Sequence, residues 1–227
     1  MSKKNKLNRF AENATFDNMF ELNYEEVIDG FELKSNWRNN FFKNNNNLII
    51  ELGCGKGEYT TGLAQIFPDK NFIGIDIKGA RIWRGLVTTA EKTLSNVAFI
   101  RSKINLIEYF FGKNEVSEIW ITFPDPHPSR IKEKRRLTSP QFLDRFYNVL
   151  KPDGVINLKT DNIILFEYTL DVIRDHGHEL LYSTYDVYGE KNDEALTQIQ
   201  TFYEKKWLKL GTKIKYLRFK LKPLVNL

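Results

Sequence analysis

From Leu48 onward the chain alternates short apolar runs with longer amphipathic stretches, and this alternation limits the fold more than any other feature. The runs at 48–52, 71–77, 97–100, 116–123 and 154–159 show little period-2 alternation, as strands buried on both faces do. Between them, 59–67, 80–94, 105–111, 139–150 and 163–176 carry apolar residues at helical spacing, and Ser139-Pro140 reads as an N-cap followed by Pro at N1. A strand at 179–187, a helix at 194–210 ending at Gly211 and a strand at 213–221 complete the pattern. Strand–helix repetition predicts an α/β fold: a doubly wound, Rossmann-like, mainly parallel sheet of seven strands, helices on both faces and the last strand antiparallel. Such a sheet binds its ligands at the carboxyl ends of its strands.

Residues 1–47 lack this alternation. A basic tip (Lys3, Lys4, Lys6, Arg9) precedes scattered aromatics (Phe10, Phe16, Phe20, Phe31, Trp37, Phe41, Phe42), and Asn44 to Asn47 form a turn. The expected organisation is an extension over 1–47, a mobile basic arm followed by a segment pinned by its aromatics, and a single domain over 48–227. With 227 residues, 41% of them hydrophobic, there is material for a full core, so global disorder is excluded. No apolar run approaches the roughly 20 residues of a membrane span, and no apolar stretch follows the charged start as in a secretory signal. The single cysteine, Cys54, makes neither an internal disulfide nor a multi-cysteine metal site. A cytoplasmic protein is the expectation, with a monomer as the default. Three scattered histidines suggest no metal site, and His176 and His178 are expected at the surface of a helix-to-strand turn.

The first apolar run leads into Glu51-Leu52-Gly53-Cys54-Gly55-Lys56-Gly57-Glu58. Glycines at a strand-to-helix turn admit positive φ and let a ligand approach the backbone closely. The dinucleotide pattern G-x-G-x-x-G requires glycine at 58, where Glu58 stands, and Glu51 and Glu58 would repel a pyrophosphate. S-adenosylmethionine carries no phosphate but has a sulfonium cation and a ribose, so an acid before G-x-G-x-G suits it better. Asp76, closing the next strand, can accept from both ribose hydroxyls. The plainer alternative is a tight turn with Asp76 capping a helix. Cys54 is read as a small loop residue, since no histidine is placed to activate it.

The fourth strand delivers Thr122-Phe123-Pro124-Asp125-Pro126-His127-Pro128, in which prolines flanking Asp125 stiffen the loop. Five cations follow (Arg130, Lys132, Lys134, Arg135, Arg136) against Glu133, a cluster suited to a phosphate backbone. The C-terminal region adds cations from Lys205 to Lys222. Leu217, Phe219 and Leu221 alternate with basic residues as a half-buried strand would, while Ile214 and Tyr216 fall out of phase.

Glu51–Gly57, Gly74-Ile75-Asp76, Phe123-Pro124-Asp125-Pro126 with Lys134-Arg135-Arg136-Leu137, Lys159-Thr160-Asp161-Asn162 and Thr201-Phe202-Tyr203-Glu204 resemble the tRNA (guanine-N7-)-methyltransferase family over about 48–221. The resemblance implies S-adenosylmethionine as cofactor, held by Glu51, Gly53, Gly55, Gly57 and Asp76. It implies tRNA as substrate, methylated at N7 of the variable-loop guanine at conventional position 46. Asp125 falls at the reaction centre, and Asp161, Thr201, Tyr203 and Glu204 fall where the guanine or its surroundings are held. The family's bacterial members usually have tryptophan where His127 stands and lysine where Ser129 stands; Arg130 is placed to supply the charge at that substrate contact. Near the adenine, Lys103 stands where an acidic or amide side chain is usual, with Asn105 as its substitute.

Guanine N7 has a lone pair and no proton, so methylation there needs placement rather than a general base. On this reading His127 stacks on or bonds the base, or packs the loop. Other classes share parts of the pattern: a small-molecule methyltransferase has the glycine turn and Asp76, a nicotinamide-dependent oxidoreductase is disfavoured by Glu51 and Glu58, and a non-catalytic RNA-binding protein would keep the fold.

Overall fold

A computed structural model describes residues 3–22, 24–189 and 194–223, without the side chains of residues 3–6 and 194–195. The basic side chains of Lys3, Lys4 and Lys6 therefore lie outside the described residues. The chain forms two compact units, Met1–Gly112 and Lys113–Leu227.

The first unit runs α1 (Lys3–Asn13), β1 (Met19–Phe20), α2 (Tyr24–Gly30), a π-helical turn at Trp37–Phe42, β2 (Asn47–Leu52), α3 (Glu58–Ile66), β3 (Lys70–Asp76), α4 (Gly79–Glu91), β4 (Val97–Arg101) and, after a 3-10 turn, α5 (Ile107–Phe110). Its strands pair in parallel in the order β1-β4-β3-β2. Five of the six residues of β2 and six of the seven of β3 are buried, as the absence of alternation required. Asn44 Oδ1 accepts from the Asn46 amide at 3.0 Å, setting the turn that opens β2.

The amino-terminal segment contains a helix, α1, packed on α4. Its aromatics form a cluster: Trp37 is fully buried between Phe20, Phe31, Phe41 and Phe111, with ring centroids 5.0–5.9 Å away. The Trp37 indole donates to the Phe110 carbonyl at 2.9 Å. The two-residue strand β1 is additional to the seven expected, and it adds to β4 through Phe99 N–H donating to the Asn18 carbonyl.

The second unit runs β5 (Val116–Thr122), a 3-10 turn at Arg130–Arg135, α6 (Pro140–Val149), β6 (Leu150–Thr160), α7 (Ile163–Asp175), β7 (Glu179–Thr184), α8 (Glu194–Gln198), α9 (Phe202–Lys209) and β8 (Lys215–Lys220). β5 and β6 are parallel, and β8 runs antiparallel to both β6 and β7. Parallel strands with intervening helices and an antiparallel last strand make the Rossmann-like α/β architecture. Ser139 and Pro140 take the N-cap and N1 positions of α6, although the serine hydroxyl donates to the Lys134 carbonyl instead of capping.

Two expectations need correction. The helix expected over 194–210 is two helices, because Thr201 and Glu204 form a capping box that starts α9 afresh. His178 is buried rather than at the surface: its ring lies near Phe219, and Nδ1 accepts from the Lys222 amide at 3.2 Å. Leu217 and Phe219 in β8, and Leu221 just past its end, are buried as their alternation predicts. Tyr216 is buried on the other face, where its hydroxyl donates to Asn157 Oδ1 at 2.7 Å.

His178 Nε2 has no hydrogen-bond partner among the described residues. Burial, with His176 adding to it, pushes the His178 pKa down to about 4. Between that value and the ordinary 6.5 the unfolded chain binds more protons, so stability is lost as pH falls through this window. At about 1.4 kcal/mol per unit the loss reaches at most roughly 3 kcal/mol. Urea unfolding of the wild type should weaken between pH 7 and pH 4.5 more steeply than that of His178→Phe; parallel curves would reject this role.

Candidate active site

The glycine turn of the first unit is held by β3. The amides of Gly53 and Cys54 both donate to the Ile75 carbonyl, and the Gly55 amide donates to Asp76 Oδ2 at 2.9 Å. Asp76 Oδ1 accepts from the Lys78 amide at 2.7 Å. Asp76 is thus the strap of the turn as well as its neighbouring carboxylate, and its oxygens retain lone pairs for further donors. Gly53 and Gly55 have φ of 75° and 57°, and a Cβ at either would meet nothing closer than the Gly53 carbonyl at 4.0 Å. Open space lies over the turn where a ligand can approach the main chain.

Three other glycines serve packing. Phe99, fully buried at the centre of β4, presses its ring on all three. A Cβ at Gly57, Gly74 or Gly85 would stand 2.7, 2.8 or 2.6 Å from that ring. Gly74 also leaves room for the Thr60 hydroxyl, which donates to Glu51 Oε2 together with the Thr60 amide at 2.8 Å. Glu51 is 3% exposed, so its carboxyl group is buried and fixed to the start of α3. The Cys54 thiol is buried and pushed well up by burial, with Glu51 and Asp76 adding to it, which leaves it an unreactive filler.

A cavity of about 600 Å³ borders the tip of β3. Ile77, Ser102, Lys103 and Leu106 line it, with Glu21 and Tyr24 of the amino-terminal segment on its rim. Arg101 and Glu21 form an ion pair there. Lys103 is exposed and lines this space, whereas Asn105, also exposed, is not among its lining residues.

In the second unit, β5 releases the Asp125 loop. The Phe123 amide donates to the Lys159 carbonyl at 2.8 Å, and Phe123 and His127 both take positive φ, 48° and 41°. The Asp125 side chain is 72% exposed, and its Oδ1 accepts from the His127 amide at 3.1 Å. The loop is gripped from behind by Arg136, 4% exposed. Its guanidinium donates to the Pro126 carbonyl at 3.1 Å and the His127 carbonyl at 3.1 Å, and lies 4.2 Å from the centre of the Tyr168 ring. This corrects the expectation of five cations offered to phosphate. Arg136 is spent on the loop's own backbone, while Arg130, Lys132, Lys134 and Arg135 stand exposed beside Ser129.

Asp161, at the tip of β6, is half-buried, and burial raises its carboxyl pKa against its own amide and Lys215. Of the Thr201–Glu204 stretch, only Phe202 and Tyr203 are exposed. Thr201 Oγ1 accepts from the Glu204 amide at 3.2 Å. Glu204 is fully buried, 2.6 Å from Lys159 Nζ, and accepts from the Tyr188 hydroxyl at 2.8 Å. Glu204 is therefore enclosed and Tyr203 presented. Sequence reasoning missed Phe99, Arg136 as a brace, Lys159 and Tyr188. A lysine ending an apolar strand and a Thr-x-x-Glu capping box were the signals available for Lys159 and Glu204.

Among the described residues no helix is long and apolar enough to cross a membrane, and no group of three metal-ligating side chains occurs. The model of a family described as "Putative methyltransferase" matches residues 45–217. The chain is 55% identical over 98% of its length to the whole of the tRNA (guanine-N(7)-)-methyltransferase of Christiangramia forsetii. It is 45% identical to that of Bacteroides fragilis, over 96% of this chain and 86% of that one, and 39% to that of Clostridium novyi, over 88% and 92%. Among solved structures, the 16S rRNA methyltransferase KamB shares the fold at a TM-score of 0.61 and 14% identity, over 78% of this chain and 89% of that one.

Replacing Gly85 by alanine in the middle of α4 ordinarily gains about 1 kcal/mol of helix propensity. Here the new methyl meets the Phe99 ring, and overpacking of this kind costs about 1–3 kcal/mol. Gly85→Ala should be net destabilising in urea unfolding, and nearly neutral in a Phe99→Leu background; an equal cost in both backgrounds would refute the packing account.

Proposed function

The chain belongs to the tRNA (guanine-N7-)-methyltransferase family, and from that premise we propose that it transfers a methyl group from S-adenosylmethionine to N7 of a tRNA guanine, the variable-loop guanine at position 46, forming 7-methylguanosine. We assign transfer to residues 48–227 acting as a cytoplasmic monomer, with 1–47 as an extension. The observation that carries the reading is Asp125: an exposed carboxylate on a loop made rigid by two prolines and by Arg136.

The first unit suits the donor. The space over Gly53 and Gly55 admits a ligand close to the main chain, and the carboxylates of Glu51 and Asp76 favour a cationic, hydroxyl-bearing molecule. Asp76 would hold the ribose hydroxyls with the lone pairs that the Gly55 and Lys78 amides leave, and the cavity beside Ile77 and Lys103 would take the adenine. When bound, the donor supplies an electrophilic methyl group on a positively charged sulfur.

Transfer of that methyl to guanine N7 would form the N7–carbon bond as the carbon–sulfur bond breaks, leaving a neutral thioether and placing the positive charge on the guanine. No proton moves, so neither His127 nor any other base is required, and placement can supply roughly 7–11 kcal/mol of the barrier. Asp125 accepts from the base's N–H groups and faces the developing charge. A carboxylate about 4 Å from a unit charge contributes up to about 4 kcal/mol at an effective dielectric near 20. Asp161, Ser129, Arg130 and Tyr203 contribute to holding the RNA, and the exposed cations from Arg130 to Arg135 contact phosphates.

Incubating the protein with tritiated donor and unmodified tRNA, then mapping the labelled nucleotide, tests the assignment. Label is expected at the variable-loop guanine, released as 7-methylguanine; label elsewhere, or none, would sink it. Asp125→Ala should lower kcat by about 100-fold, about 2.7 kcal/mol, with donor binding unchanged. Salt titration of tRNA binding separates the cations. Arg135→Ala or Lys134→Ala should each flatten the log–log salt slope by about one, whereas Arg136→Met should slow turnover without changing it.

A further inference from the structure

We propose that the buried ion pair between Lys159 and Glu204 is a positioning device for the tRNA-binding surface of the second unit; this rests on the function proposed above. Lys159 and Glu204 are both fully buried, with Nζ 2.6 Å from Oε1. Each makes further bonds into a different segment. Lys159 Nζ donates to the Leu196 carbonyl in the middle of α8. The Lys159 carbonyl accepts from the Phe123 amide at 2.8 Å, at the root of the Asp125 loop. Glu204 Oε1 accepts from the Tyr188 hydroxyl at 2.8 Å, and Oε2 receives the Thr201 amide at 3.4 Å. The surfaces assigned above to RNA stand beside this web: Asp161 lies two residues beyond Lys159 at the tip of β6, and Tyr203, 44% exposed, immediately precedes Glu204.

The chemistry argues for placement over stability. Taking two ions out of water carries a penalty that their attraction barely offsets, so apolar residues of similar volume often serve a core equally well. Burial here is the larger influence on Lys159, lowering its pKa against the pull of Glu204. What apolar residues do not provide is direction. A lysine and a carboxylate bond only along set lines, and these lines tie the tip of β6, the residues around Tyr188, α8 and the first turn of α9 into a single register. Glu204, enclosed by Lys159, Tyr188 and its own capping box, has no face left for a substrate. It acts through Tyr203 and Asp161, and Lys159 acts through Asp161 and the Asp125 loop.

The test uses the full chain. The double variant Lys159→Met/Glu204→Leu removes both charges while keeping volume, and is assayed for tRNA and donor kinetics, for binding of S-adenosylhomocysteine by calorimetry, and for thermal midpoint. Expected are a midpoint within a few degrees of wild type, unchanged S-adenosylhomocysteine affinity, and KM for tRNA raised about tenfold with kcat lowered by a similar factor. Wild-type kcat and KM for tRNA in a folded double variant would overturn the proposal. If that variant does not fold, Tyr188→Phe decides. It removes one bond to Glu204 and should raise KM for tRNA about threefold; an unchanged KM overturns the proposal equally. Wild-type protein that transfers no methyl group to tRNA would instead reject the function itself, leaving the two failures distinct.

Discussion

The first unit is organised around the contact between one aromatic ring and three missing side chains. Phe99 fills the space that Cβ atoms would occupy at Gly57, Gly74 and Gly85, which come from the glycine turn, β3 and α4. Because the ring is wholly buried at mid-strand, it has nowhere to retreat. The distance from the turn to the sheet is set by ring thickness. That setting in turn lets Thr60 reach Glu51 and lets Gly55 reach the Asp76 carboxylate. The apparent flexibility of a glycine-rich sequence is, in this setting, a tightly packed arrangement.

Electrostatics is divided between the units. The first gathers buried or nearly buried carboxyl groups, Glu51 and Asp76, whose bonds to backbone amides fix their orientation. The second displays exposed cations from Arg130 to Arg135 after the outward carboxylate of Asp125. The two regions differ in charge, and under the proposed function that difference suits a cationic small molecule in one and a polyanionic one in the other. Lys159 and Arg136 are buried, and their charged groups are consumed in holding loops that carry exposed groups.

Much of the fold was legible in the sequence, because strands buried on both faces lose their alternation and the helices between them keep theirs. β2 to β8 all fall at or within a few residues of the apolar runs. β1 was not legible: two residues, Met19 and Phe20, carry no periodicity, and their pairing with β4 is a tertiary event. The break between α8 and α9 is different, since Thr201 and Glu204 spell a capping signal that the surrounding helical pattern obscured. For the site, residue types at strand ends pointed to Glu51, Asp76, Asp125 and Asp161, but sequence does not show whether a charge faces outward. Glu204 and Arg136 look as available as Tyr203 and Arg135, and only packing reveals that the first pair is enclosed.

Arg136 holds its loop by main-chain oxygens of residues 126 and 127. A grip on carbonyl groups is blind to the side chains that the same residues bear, so the loop's shape is inherited separately from its chemistry. The side chains of His127 and Ser129 take no part in that mount, which bonds carbonyl oxygens alone. What these positions display is thus open to revision while the carboxylate between the prolines stays where it is.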